Sequence, residues 1–192
     1  YAAPGRLSRS EEEFRDSLQR LGGIVRSIEA DAGVWIDPGG EVIHLVDDAG
    51  RPLSPELAQA VFVWLALEYL GVRRVAIPVT SAAIVAEIIR SAGAELEWTK
   101  TEHHAMMATA TGVDFVAGAR GEYIFPSFIP AYDGMFASMK LLEALSHADM
   151  RLRDVADRFP PVHVMQARIA CPWSRKGAVM RRLIEATEGE ER

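Results

Sequence analysis

Gly118, Arg120, Gly121 and Glu122 stand just before a short apolar run, Tyr123, Ile124 and Phe125, and ahead of Asp133 and Gly134, where an apolar-periodic segment begins. Glycines at 118 and 121 permit a tight backbone course, the run reads as a strand, and Asp133 is placed to cap a helix. Loops between a strand end and a helix start are where α/β proteins put their ligands, so this stretch reads as a polar-ligand loop. His103 and His104 are the one adjacent histidine pair, which invites a metal-site reading. Neighbouring helical residues point about 100° apart and no third ligand follows at H-x-x-x-H spacing, so no metal is expected there. Cys171 is the only cysteine. It reads as a small packed hydrophobe, and the lack of any intrachain disulfide fits a reducing, cytoplasmic setting.

Composition narrows the function classes. The net charge of -6 argues against a general nucleic-acid or membrane-surface role. No stretch runs long enough without charge to span a bilayer. The 192 residues suffice for one domain or one plus part of another. The chain opens on Tyr1 rather than methionine, and is read as a piece of something longer.

These residues need elements to hold them. Ser10 and Glu13 have capping-box spacing, and Phe14, Leu18, Leu21, Val25 and Ile28 mark one helical face, so a helix is expected over 10–29 despite the Gly22 and Gly23 pair. Strands at 33–36 and 42–46 flank a turn at 37–40, in which Asp37 and Glu41 serve as turn and strand-edge residues. A helix opens at Ser54 and Pro55, runs through Leu57, Val61, Trp64 and Leu65, and stops at Gly71. Strands at 75–79, 95–99, 113–117 and 123–125 alternate with helices at 81–92 and 135–145, the pattern of βαβ units in a largely parallel sheet. Pro78 suggests a sheet edge or a strand end. Met106, Met107, Met135 and Met139 are expected to fill the core. A further helix, a strand at 162–170 and a helix at 174–186 carry Arg151, Arg153, Arg158, Arg168, Arg175, Lys176, Arg181 and Arg182 against only Asp154 and Asp157. That basic run reads as a solvated face, and Pro160 and Pro161 mark a boundary.

A glycine-rich loop, then I-F-P-x-F, then a D-G opening an A-x-x-K-L-L-E-A-L helix resembles the sugar-binding segment of the alpha-D-phosphohexomutases, the phosphomannomutase and phosphoglucomutase family. The resemblance implies an α/β fold: a three-layer α/β/α domain with a mixed, largely parallel sheet. It further implies the end of the family's second domain at 1–47, its third at 48–158 and the start of its fourth at 159–192. In the family the loop reads G-E-x-S-G-H, which places Gly118 on the glutamate, Arg120 on the serine, Gly121 on the glycine and Glu122 on the histidine. The family's D-G-D-A-D-R loop, three carboxylates that converge on magnesium, falls on the turn at 37–42: Asp37 is kept, Gly39 replaces the second aspartate, Glu41 the third and Val42 the arginine. The family's T-x-V-G-D or T-x-x-G-H segment is matched by Thr99, Lys100 and Thr101, with Glu102 in place of the glycine.

The resemblance with these departures implies a degenerate mutase-like module of a sugar-nucleotide protein with a mannose-1-phosphate guanylyltransferase-like parent, structural or regulatory and not catalytic alone. Magnesium is the family's ion, but none is expected to bind here, and a hexose phosphate is at most a weak ligand of the loop. Other domains of the same polypeptide are the expected partners, with no nucleic acid or membrane, and a homo-oligomer is left open. The alternatives are a fragment of an active magnesium-dependent mutase, in which Asp37 and Glu41 hold the ion and Arg120 reads a phosphate, and an α/β domain that docks a partner through its basic segment.

Overall fold

The computed structural model describes residues 11–162 and 169–187. The chain divides into two compact units, Tyr1–Val162 and His163–Arg192. In the first, helix α1 (Glu11–Ser27) precedes a hairpin of β1 (Ala32–Ile36) and β2 (Ile43–Asp47). There follow α2 (Pro55–Tyr69), β3 (Arg74–Pro78), α3 (Ala83–Ser91), β4 (Glu95–Thr99), α4 (His103–Thr109), β5 (Phe115–Ala117), β6 (Tyr123–Ile124), α5 (Gly134–Ala148) and α6 (Leu152–Ala156). The second unit contributes α7 (Lys176–Thr187), entered through a 3-10 turn at Trp173–Arg175. Residues 163–168, most of the expected strand at 162–170, lie outside the described residues.

The sheet has the order β4-β3-β5-β6, with β3 parallel to both β4 and β5, and β6 antiparallel to β5. It is mixed and largely parallel, as expected. Period-two alternation sorts its side chains between two helical layers. Val75, Ile77, Phe115, Ala117 and Tyr123 join the core of α2, α3, α5 and α6. Ala76, Val116 and Ile124 turn the other way, onto Met106 of α4 and Ala110 and Val113 just after it. Pro78 is the last residue of β3, a central strand, so the end position accommodates its missing donor.

Helix α2 is the axis of the larger layer. Ser54 caps it, its Oγ accepting from Leu57 N at 3.2 Å, and Ala58, Ala60, Val61, Phe62 and Val63 are buried on nearly every side, as a helix apolar all round requires. Gln59 is the buried polar exception; its Nε2 donates to Ala117 O and Ser81 Oγ, both at 2.8 Å. Two buried polar atoms among the described residues, Gln59 Oε1 and Tyr123 Oη, have no protein partner. Burial and the nearby Glu122 push the Tyr123 phenol well above its ordinary range. Tyr123→Phe therefore removes a desolvated hydroxyl that returns no hydrogen bond. Urea denaturation should find this variant as stable as the parent, or more stable by up to about 1 kcal/mol; a loss above about 1 kcal/mol would show that the hydroxyl is bonded.

Helix α1 covers the outer face of the hairpin, with Leu18 and Val25 packed on Val46 and with Phe14 and Trp35 beside them. Gly22, costly in an isolated helix, has a cause: a Cβ there would lie 2.3 Å from Gly50 O, so the helix rests directly on the turn at 48–50 that follows β2. Ile28 falls beyond the end of α1 and is 68% exposed, outside the helical face assigned to it. Met135 and Met139 are also exposed and do not fill the core, because α5 turns Ala137, Leu141, Ala144 and Leu145 inward instead. Met106 is buried as expected. The basic run finds an acid outside itself, Asp48, which Arg151 and Arg153 approach at 3.6 Å, while Arg51 bridges buried Asp47 and exposed Asp157 at 2.8 and 2.7 Å.

Candidate functional site

The turn at 37–42 and the loop at 118–122, far apart in sequence, meet backbone to backbone. Ile43 N donates to Gly121 O at 2.9 Å, and Val42 and Glu122 form an isolated antiparallel bridge. Gly134 N donates to Gly40 O at 2.7 Å, bringing the start of α5 onto the same turn. Asp133 caps that helix as expected, its Oδ1 accepting from Phe136 N at 2.8 Å. All six residues singled out in the two motifs therefore belong to one neighbourhood.

The chemistry of that neighbourhood is inward-looking. Asp37 Oδ1 accepts from Glu41 N at 2.7 Å and Val42 N at 2.9 Å, and Oδ2 accepts from Gly39 N at 3.1 Å. Burial works to raise the Asp37 carboxyl, but the amides of Val42, Glu41, Gly39 and Gly40 outweigh it and hold it below the ordinary 3.8. Glu41 is exposed, and Gly39 has no side chain to offer. Among the described residues no three His, Cys, Asp or Glu side chains are grouped to hold a metal ion. Magnesium takes octahedral oxygen ligands, usually one or two carboxylates plus waters and phosphates. With Asp37 engaged by three amides and no carboxylate at Gly39, the turn lacks the three converging carboxylates that the resemblance assigns to the family's magnesium loop.

Glu122 is 6% exposed. Its Oε2 accepts from Arg120 N at 2.9 Å, and Gly118 N donates to Glu122 O at 2.7 Å, so the loop folds around its own carboxylate. Gly118 and Gly121 are buried in this turn, whereas the Arg120 side chain is exposed. His103, at the start of α4, faces the carboxylate with Nε2 3.9 Å from Oε1. Tyr132 lies against the His103 ring at 5.0 Å; burial, then Glu122 and Glu41, push its phenol up to about 12. Sequence reasoning left His103 and Tyr132 out of the site. Their signals were available: His103 follows Glu102 where the family's T-x-x-G-H segment ends in histidine, and Tyr132 adjoins the capping aspartate. Glu102 itself is exposed at the N-cap of α4.

His44 was missed as well. It is packed against Phe14 at 4.7 Å and Trp35 at 5.6 Å. Burial lowers its pKa below the ordinary 6.5, against the opposing pull of Glu122 and Asp37. A depressed imidazole contributes stability that is complete above about 6.5 and lost as pH falls through the lower folded value. His44→Gln should therefore lose less Tm between pH 7 and pH 5 than the parent does, as read by thermal melts at both pH values; equal losses would remove His44 as the source.

Residues 59–162 match the family described as phosphoglucomutase/phosphomannomutase, alpha/beta/alpha domain III. The chain belongs to this family, the alpha-D-phosphohexomutases. It is 26% identical over 179 residues to a protein from Pyrococcus furiosus named probable phosphoglucosamine mutase, and 22% identical over 173 residues to the phosphoglucosamine mutase of Methanococcus maripaludis. These alignments cover 92% and 89% of this chain but 39% of each relative, so the chain spans about two fifths of their length. Its fold is similar to that of a phosphoglucomutase/phosphomannomutase family protein from Burkholderia thailandensis, with a TM-score of 0.66 at 21% identity over 76% of this chain and 32% of that one. Among the described residues no helix is long and apolar enough to cross a membrane.

Proposed function

We propose that this chain is a non-catalytic phosphohexomutase module, structural or regulatory within a protein of sugar-nucleotide synthesis whose other part is mannose-1-phosphate guanylyltransferase-like. One observation carries the silent role: Asp37 spends its carboxylate on the amides of its own turn. Phosphoryl transfer depends on in-line positioning and on metal and cationic groups that offset developing charge. The turn offers no such group, and the facing loop holds Glu122 where a phosphosugar would bring like charge. The guanylyltransferase-like parent is supported by the resemblance of such eroded mutase-like regions to the C-terminal part of proteins that begin with a sugar nucleotidyltransferase domain, while the relatives named above carry mutase names.

Within this reading, residues 1–47, 48–158 and 159–192 correspond to the end of the family's second domain, its third and the start of its fourth. Other domains of the same polypeptide are its partners, and its setting is cytoplasmic. Glu122, which accepts from the Arg120 amide, then serves the loop's own shape rather than a hexose phosphate. A working mutase with a rearranged site is disfavoured by the same hydrogen bonds, whereas docking of a partner through the basic segment is compatible with family membership.

The full-length parent, supplied with magnesium, a hexose 1,6-bisphosphate primer and hexose 6-phosphate, should form no hexose 1-phosphate. Calorimetric titration of this chain with magnesium chloride should give no saturable heat at concentrations up to about 10 mM, some tenfold above the weak millimolar sites of extracellular cation modules. Turnover by the parent, or an ion held by Asp37 and Glu41, would overturn the proposal.

A further inference from the structure

Glu122 is an anion fixed in place by the backbone around it. Its Oε2 accepts from Arg120 N at 2.9 Å, and a Cβ on Gly118 would lie 2.5 Å from the same oxygen, so the loop closes on the carboxylate only because residue 118 is glycine. The other oxygen, Oε1, faces His103 Nε2 at 3.9 Å, across the gap to the first residue of α4. That distance is too long for a hydrogen bond from a neutral imidazole but within reach of a charge pair, so only the protonated ring gains from it. The His103 side chain is 55% exposed and open to solvent protons, and imidazoles titrate between about pH 5 and 8.

We propose that His103 and Glu122 form a proton-operated latch, which ties the start of α4 to the 118–122 loop when the imidazole is charged and releases it when the imidazole is neutral. The start of α4 is otherwise lightly held: the helix has seven residues, its N-cap Glu102 makes no side-chain capping bond, and Tyr132 Oη reaches His103 O at a long 3.4 Å. The neighbouring charges set the sign. Glu122 attracts the charged ring from the loop and Glu102 from its own helix, while Glu41, from the turn, acts with Glu122 on the adjoining Tyr132. Asp37 and Glu122 pull on His44 of β2 against its burial, so His44 shares the same carboxylate. Exposed Arg120, Lys100 and His104 and the positive end of α4 oppose the charged ring, but none of them is buried against it as Glu122 is. A histidine that gains an anionic partner on folding adds stability at low pH that is lost as pH rises. Acidification therefore tightens the start of α4, opposite in sign to the loss that His44 brings.

Backbone hydrogen exchange of the full chain, corrected for its intrinsic pH dependence, reads the latch at Ala105 and Met106, whose amides donate to Glu102 O at 3.0 and 3.1 Å. Protection there should be about threefold greater at about pH 5.5 than at about pH 7.5, the size that a half-exposed pair allows. His103→Gln and Glu122→Gln should each abolish the difference, and the latter keeps an acceptor for Arg120 N. His103→Lys, charged at both pH values, should be equally protected at both. His44→Gln should leave the difference intact. Should Glu122→Gln fail to fold by circular dichroism, the two variants of exposed His103 supply the same reading. Equal protection of the parent at both pH values, a difference that survives His103→Gln, or one that vanishes in His44→Gln would each overturn the proposal.

Discussion

Gly121→Ala should cost the fold at least about 3 kcal/mol, a large share of the roughly 5–15 kcal/mol that holds a domain together. Two independent effects add at this position. Gly121 has a φ of +100, a conformation that L side chains rarely adopt. A Cβ built there would also lie 2.2 Å from Ile43 O, a backbone atom held in the adjoining strand. Relief would require the loop to leave β2, breaking the Ile43 to Gly121 hydrogen bond and the Val42 to Glu122 bridge. Chemical denaturation of the parent and variant measures the loss. A cost below about 1 kcal/mol would mean that the hairpin and loop can separate cheaply.

Phe62→Ala is expected to cost about 3–5 kcal/mol, the range for removing a large aromatic from a core. Phe62 is fully buried on α2, with ring centroids 4.7 Å from Tyr123, 5.3 Å from Phe115 and 5.8 Å from Phe125. Its loss opens a cavity against both sheet strands that lead to the loop, β5 and β6. Phe62→Leu, which keeps most of the volume, should cost less than about 2 kcal/mol. If denaturation finds the two substitutions equally damaging, ring packing rather than volume sets the stability of this layer.

Local patterns exposed most of the elements, because each depends on spacing within a short window. The Ser54 cap, the helix opening at Asp133 and the Asp37 turn all follow from residue types a few positions apart. Which face of α5 is buried did not follow. The helix carries apolar residues on both sides, and the structure buries Ala137 and Ala144, which let α5 approach α2 closely, while the larger Met135 and Met139 face out. Periodicity without a partner cannot choose between two such faces. The Gly22 and Gly23 pair was legible as a cost and not as a close approach, since Gly50 stands in a different element. The site divides in the same way. The alignment of motifs brought out Asp37, Glu41 and the 118–122 loop, but the facing positions of His103, Tyr132 and His44 come from tertiary neighbours.

The link between Ile43 and Gly121 also bears on how the chain assembles. The β1-β2 hairpin involves neighbours in sequence and can form in microseconds. Its fixed position needs a contact with a loop that exists only after β3, β5 and β6 have found one another, and closing that long intervening chain carries an entropic penalty before any reward arrives. The hairpin is thus an early, local structure with a late anchorage. A stopped-flow probe on Trp35 should register a slow phase that tracks completion of the sheet rather than hairpin formation.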